Sequence, residues 1–249
     1  MTIKTFIILS LLPLSLSLHA ENTQIQSFSS AKKKLEKEIY LTSQDRHTVY
    51  CDAEFDSQKN IIPPNGFESD KYQKRAKRIE WEHIVPAENF GRNFSEWRNG
   101  AAVCVTSKGK SYKGRRCAEK ANEEYRYMQA DMYNLYPAIG SVNASRRNYN
   151  FVMLGDVESS SFGSCKMKIV NSKAEPPEAS RGIIARTYLY MDGLYTHYKM
   201  SNQQRQLMNA WNKTYPVDAW ECERARRISK IQGNSNQVLE QSCREAGFN

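Results

Sequence analysis

The sequence predicts an α+β fold, a single and mostly helical domain with a few short strands. Three observations carry that expectation. The stretches at 174–192, 201–216 and 216–231 have apolar residues at helical spacing. The candidate extended segments, at 47–51, 78–86 and 164–170, are all short. No internal repeat or low-complexity linker divides the 249 residues, and that length suffices for one buried core.

In chain order, residues 1–20 open with Lys4, run apolar from Phe6 to about Leu18 and end on the small residue Ala20. This is the layout of a secretory signal peptide, too short and Ser-rich for a comfortable membrane span, with an uncleaved anchor as the alternative. Residues 21–44 are expected to form a loose lead-in followed by a helix over 30–40, capped by Ser30, with Leu35 and Ile39 on one face. A main domain is expected from 45 to 240, with a tail over 241–249. Within it HTVYC (47–51) reads as a short strand. Pro-Pro and Asn-Gly mark a turn in 59–67. RIEWEHIVP (78–86) reads as extended up to Pro86. Residues 87–114 read as an irregular excursion with few core positions. A helix is expected from Glu119 to about Asn134, ended by Pro137 and Gly140.

SCKMKIV (164–170) is a plausible strand. Three helices then follow. The first buries Ile184, Tyr188 and Met191. The second is capped by Ser201 and packs Leu207, Met208 and Trp211. The third is capped by Asp218 and carries basic residues in its second half. Those basic residues could face a polyanion, although a solvated face is the commoner use of such a run.

The six cysteines, Cys51, Cys104, Cys117, Cys165, Cys222 and Cys243, all follow the leader. An even count in an exported chain suggests three disulfides, and fifteen connectivities are open. Cys104 with Cys117, the pair nearest in sequence, is the favoured single pairing. None of the six forms a CxxC or CxH pair, which disfavours structural zinc. The chain carries +9 formal charge, or +8 once a leader containing only Lys4 is removed. That excess suits a polyanionic partner: nucleic acid, anionic lipid or acidic polysaccharide.

The most informative segment is RIEWEHIVP. Glu82 and His83 place a carboxylate beside a histidine, and histidine is scarce: after the leader only His47, His83 and His197 remain. The chain contains no HExxH, so a zinc peptidase is disfavoured. The oxygen donors near His83 suit a hard cation such as Mg²⁺. Asp131 and Asn134, three apart, are expected on one helical face, with Asn134 completing a sparse site and Asp131 supporting it. Neighbours on a strand point to opposite faces, so Glu82 and His83 can share a site only if the chain leaves regular strand geometry between them.

RIEWEHIVPA (78–87), DMYNLYPAIGSVN (131–143), ARTYLYMD (185–192) and WNKTYPVDAWECERARRISKIQGN (211–234) closely resemble, in this order, the bacterial endonuclease I family. The resemblance spans roughly residues 45–240. It implies a ββα-metal, or His-Me finger, nuclease core and an exported, periplasmic or extracellular enzyme. The implied activity is largely sequence-nonspecific, Mg²⁺-dependent cleavage of DNA, with RNA as a second expected substrate, leaving 5′-phosphate ends. His83 is implied as the general base, and Glu82 and Asn134 as ligands of a single metal. Arg115, in the Gly-Arg turn, is implied to contact the scissile phosphate, with Arg116 beside it as a further substrate contact. Arg146 matches an arginine of the family's VNGDR-like stretch and is expected at the substrate, while Ser145 stands at the aspartate position. Many members also carry CxC where Asp52 and Ala53 follow Cys51 here, which implies one disulfide fewer.

A monomer with no membrane anchor after leader removal is expected. Lys108, Lys110, Lys113, Arg115 and Arg116 form one candidate phosphate-binding surface, and Arg146 with Arg147 another. The rival readings are a non-catalytic exported binder of DNA or other polyanions on the same scaffold, and a metal-dependent phosphatase.

Overall fold

A computed structural model describes residues 21–157 and 162–248. The expected leader lies outside the described residues. Helix α1 (Phe28–Lys34) begins earlier than expected: its cap is Ser27, whose hydroxyl accepts the Ser30 amide at 3.0 Å. A π-helical turn over Leu35–Ile39 continues it, and both end residues of that turn are fully buried, as their spacing implied. The strand expected over His47–Cys51 is instead a turn. Thr48 closes it on Ala53 through both backbone and hydroxyl, with Asp52 in the left-handed region at φ 50°.

A two-residue pair, β1 (Glu54–Phe55) with β2 (Ile61–Ile62), precedes the short helix α2 (Gln73–Ala76). Strand β3 (Ile79–His83) forms where the sequence indicated. Its partner did not stand out in the sequence. This is β4 (Leu135–Ile139), antiparallel, in register from Ile79↔Ile139 to His83↔Leu135. Pro137 is tolerated there because β4 has one strand neighbour among the described residues, and on its other side Pro137 supplies only its carbonyl, which accepts the Val49 amide at 2.8 Å.

Between them lie α3 (Ala87–Gly91), α4 (Ser95–Arg98), α5 (Arg115–Ala121) and α6 (Glu123–Gln129). The stretch expected to be irregular thus holds two short helices, and it sends Phe90 and Phe94 into the core. The single helix expected over 119–134 is broken at Asn122. Its extended backbone lets the side chain cap α6 on the Tyr125 amide at 2.8 Å. Asp131 then caps a 3₁₀ turn, Met132–Asn134, which leads directly into β4.

Helix α7 (Gly140–Arg146) starts as β4 ends and packs on both strands. Gly140 is required by space: a Cβ would meet the Arg75 carbonyl at 2.5 Å and Glu80 Oε1 at 2.9 Å. A three-stranded sheet follows, in the order β5 (Asn150–Phe151), β7 (Lys173–Glu175), β6 (Lys168–Val170). The remaining helices are α8 (Arg181–Leu194), α9 (Asn202–Thr214), α10 (Ala219–Gln232) and α11 (Gln237–Glu245). Ser201 and Asp218 cap α9 and α10 as expected, and Ile184, Tyr188 and Met191 are fully buried. The tail expected from 241 belongs to α11 up to Glu245, tied to α10 by Cys222–Cys243. Cys104–Cys117, the favoured pair, is joined, and Cys51–Cys165 is the third disulfide.

Much of the basic charge on α10 is structural. Arg224 is buried, donating to the Met132 and Leu135 carbonyls and lying 3.7 Å over the Tyr136 ring. Arg227 holds the Ile39 carbonyl and Asp45. No helix among the described residues is long and apolar enough to cross a membrane.

Candidate active site

The edge of β3, the start of α5, one face of α7 and the side of α1 enclose a cleft of about 1390 Å³. Eight lysines and arginines line it against four glutamates, so its field favours an anion. Glu80, Glu82 and His83 all open onto it. Glu82 and His83 are both paired residues of the regular ladder, so the departure from strand geometry expected between them does not occur, yet both side chains line the same cleft at the end of β3.

The protonation pattern of His83 follows from its partner. Nε2 lies 2.8 Å from the main-chain oxygen of Gln129, which can only accept, so Nε2 carries the hydrogen. In the neutral ring Nδ1 is then the bare nitrogen, and it has no protein partner among the described residues. Burial, and then the positive charge of Arg115, pull the imidazole pKa down to about 3, against the opposing hydrogen bond to Gln129. The ring is therefore neutral and oriented at ordinary pH.

Glu82 sits at the centre of a buried network. Its Oε1 accepts from Tyr50 Oη and from Arg146 Nη1, each at 2.9 Å, while Oε2 has no protein donor among the described residues. Burial pushes this carboxyl up, and Arg146 and Tyr50 hold it down. The expectation that Arg146 meets substrate is corrected here. Its side chain is fully buried, donates to the carbonyls of His83 and Ile84 at 3.0 and 2.7 Å, and stacks on Phe151. The guanidinium is consumed in fixing the end of β3.

Asn134 is likewise corrected as a ligand. Its Oδ1 accepts the Val85 amide at 2.7 Å and its Nδ2 donates to the Val85 carbonyl at 3.0 Å. This two-pronged clamp extends the β3–β4 ladder past His83, and Asn134 is fully buried away from the cleft. The amide that faces the cleft is Asn143 of α7, whose Nδ2 donates to Glu80 Oε2 at 2.9 Å. Asp131 and Asn134 do not lie on a common α-helix, since Asp131 is extended and caps the 3₁₀ turn that ends at Asn134. The Asp131 carboxylate accepts from Tyr190, Tyr195, Gln232 and the Tyr133 amide, pinning that turn. The turn follows closely on Gln129, whose carbonyl accepts from His83.

Arg115, first residue of α5, lines the cleft and reaches Gln129 Oε1 at 3.4 Å. Arg116 points elsewhere: it is exposed, lies 5.1 Å over the Tyr112 ring and does not line the cleft. Arg147, exposed and at positive φ, does line it.

A profile of the endonuclease I family matches residues 16–243. The chain belongs to the endonuclease I family. An extracellular deoxyribonuclease of Aeromonas hydrophila is 39% identical over 236 residues, covering 92% of this chain and 93% of that protein. A periplasmic deoxyribonuclease of the same organism is 37% identical over 239 residues, 93% of each. Endonuclease-1 of Buchnera aphidicola subsp. Acyrthosiphon pisum is 36% identical over 202 residues, covering 79% of this chain and 74% of that one. Export, expected from the leader, agrees with these extracellular and periplasmic relatives.

This endonuclease I family member has a site whose donors suit a hard cation. Glu82, whose Oε2 has no protein donor among the described residues, and Asn143, which bonds Glu80 through its Nδ2, both line the cleft and could offer it oxygen atoms. No group of three or more His, Cys, Asp or Glu able to hold a metal occurs among the described residues, so a cation there would keep several waters. Sequence reading missed Gln129, Tyr50 and Asn143. Asn143 lay within the quoted family motif. Gln129 acts through its main chain, which no side-chain pattern reveals.

Proposed function

We propose that this protein hydrolyses phosphodiester bonds of DNA, and of RNA, through a ββα-metal core made of β3, β4 and α7, in a divalent-metal-dependent and largely sequence-nonspecific reaction. The observation that carries this reading is His83, neutral and fixed by Gln129 with Nδ1 free, in the wall of a basic cleft that Glu82 and Asn143 also line. Glu82 and Asn143 are the residues that would hold a single cation such as Mg²⁺. When bound, that ion neutralises charge developing on the phosphate oxygens and on the leaving 3′ oxygen.

In the reaction itself His83 Nδ1 takes a proton from water as the water oxygen attacks phosphorus. The bond from phosphorus to the 3′ oxygen breaks, leaving a 5′-phosphate, and the 3′ oxygen is protonated from solvent. General-base assistance of this kind contributes about 10² to 10⁴ in rate. Arg115 meets the scissile phosphate with a planar, permanently charged donor group. Arg147 and the exposed Lys108, Lys110 and Lys113 hold flanking phosphates, contacts that carry no base information. Arg116, off the cleft, can serve only such an outer contact. The enzyme acts as an exported monomer.

The test is incubation of the mature protein with plasmid DNA and with RNA, in EDTA and after Mg²⁺ is restored. Cleavage of both that appears only with the metal is expected. Tight DNA binding with no cleavage under either condition would favour a non-catalytic binder, and DNA cleavage without RNA cleavage would narrow the substrate.

A further inference from the structure

The segment before the main domain reaches the catalytic wall. Asn22 is buried and its Nδ2 donates to the carbonyls of Ile25 and Tyr127 at 2.9 Å each. That anchor lies two residues from Gln129, the residue that orients His83. Ser27 then caps α1, and Ala31 in the middle of α1 is fully buried, so the helix is seated on the domain.

Phe28, the first residue of α1, comes down on the histidine. Its ring centroid is 4.7 Å from that of His83, with the planes 41° apart. Phe90 backs the imidazole at 6.3 Å. The Arg115 guanidinium lies 5.2 Å over the Phe28 ring and Lys32 Nζ 4.6 Å from its centroid. One side chain thus touches both the base and the phosphate-binding arginine. An aromatic ring suits both tasks: its surface packs against a neutral imidazole, and its π face attracts a guanidinium that also meets Gln129 at 3.4 Å and the Tyr125 side chain.

We propose that Phe28 is a positioning residue of the active site, fixing the His83 ring plane and parking Arg115 in a set relation to it. The proposal rests on the nuclease reading above. It makes α1 part of the catalytic apparatus rather than a lead-in.

The experiment compares Phe28→Ala, Phe28→Leu and Phe28→Tyr with wild type by steady-state cleavage, thermal unfolding and proton NMR of the histidine rings. Three histidines remain after residue 20, so the His83 signals are assignable with His83→Ala. Loss of the ring should lower kcat by on the order of 10²-fold, with KM changed by less than about threefold. Phe28→Leu, which keeps apolar bulk, should lose rate as Phe28→Ala does, and Phe28→Tyr should restore it. The His83 carbon-bound proton signals should move in the first two variants and stay near wild type in the third.

A folded Phe28→Ala enzyme with kcat within about twofold of wild type, a loss of kcat no larger than the loss of folded protein, or unmoved His83 signals would each overturn the proposal. A wild-type protein that cuts no nucleic acid would overturn the nuclease reading instead, and the NMR shifts would still report whether Phe28 sits on His83.

Discussion

Arg146 and Glu82 form a buried ion pair, Nη1 to Oε1 at 2.9 Å, in which the same guanidinium also holds the carbonyls of His83 and Ile84. The pair joins α7 to β3 at the point where chemistry is expected. It occupies one carboxylate oxygen of Glu82 and leaves the second without a protein donor among the described residues. Arg146→Met should leave Glu82 buried and unpaired, at a cost of about 3–5 kcal/mol. Urea unfolding checks the stability, and Mg²⁺ titration of the surviving folded protein should show weaker metal dependence. Unchanged stability would mean the pair is not a scaffold.

Asn134 and Asn143 separate in the same kind of experiment. Asn143→Ala should raise the Mg²⁺ concentration needed for half-maximal cleavage and leave the unfolding midpoint nearly unchanged. Asn134→Ala strands the amide and carbonyl of Val85 and should cost about 1–3 kcal/mol of stability. If Asn134→Ala shifts the metal requirement while Asn143→Ala does not, the assignment is reversed.

Sequence made part of this site legible. The strand around His83 and the caps Ser201 and Asp218 are local signals and appeared where expected. β4 did not, because Leu-Tyr-Pro-Ala-Ile carries a proline and its partner lies more than fifty residues away. Asn134 and Asn143 both sit in the family-like stretch, and only the register that puts Asn134 against Val85 tells them apart. Arg146 lies in a polar run that reads as surface, yet its helix face turns it inward beneath Glu82.

The acid side of the pH profile follows from His83. Its pKa is lowered from 6.5 to about 3, with burial the main cause. The base therefore stays neutral as pH falls through 6.5, and kcat/KM should show no acid limb with a midpoint near that value. The same shift affects stability. Below pH 6.5 the unfolded chain takes up a proton on this residue that the folded chain does not, so stability falls toward acid by up to about 1.4 kcal/mol per pH unit until about pH 3. His83→Ala should remove that contribution, giving a shallower loss of unfolding free energy between pH 6 and 4. An equal slope in both proteins would contradict it.

Outside the cleft, Lys108 and Lys110 lie exposed on the loop closed by Cys104–Cys117 and the Val105↔Ser111 bridge. If they meet flanking phosphates, the double Lys→Ala variant should lower the magnitude of the salt slope of DNA binding by about 2. Binding measured in EDTA over a salt series checks this, and an unchanged slope would return both lysines to the solvated surface.

The role of His83 as the base is tested by cleavage of plasmid DNA by His83→Ala with Mg²⁺ present, beside wild type at equal folded concentration. A fall in kcat of at least about 10²-fold is expected, with DNA binding retained. Cleavage at the wild-type rate would show that His83 is not the base and that the chemistry lies elsewhere.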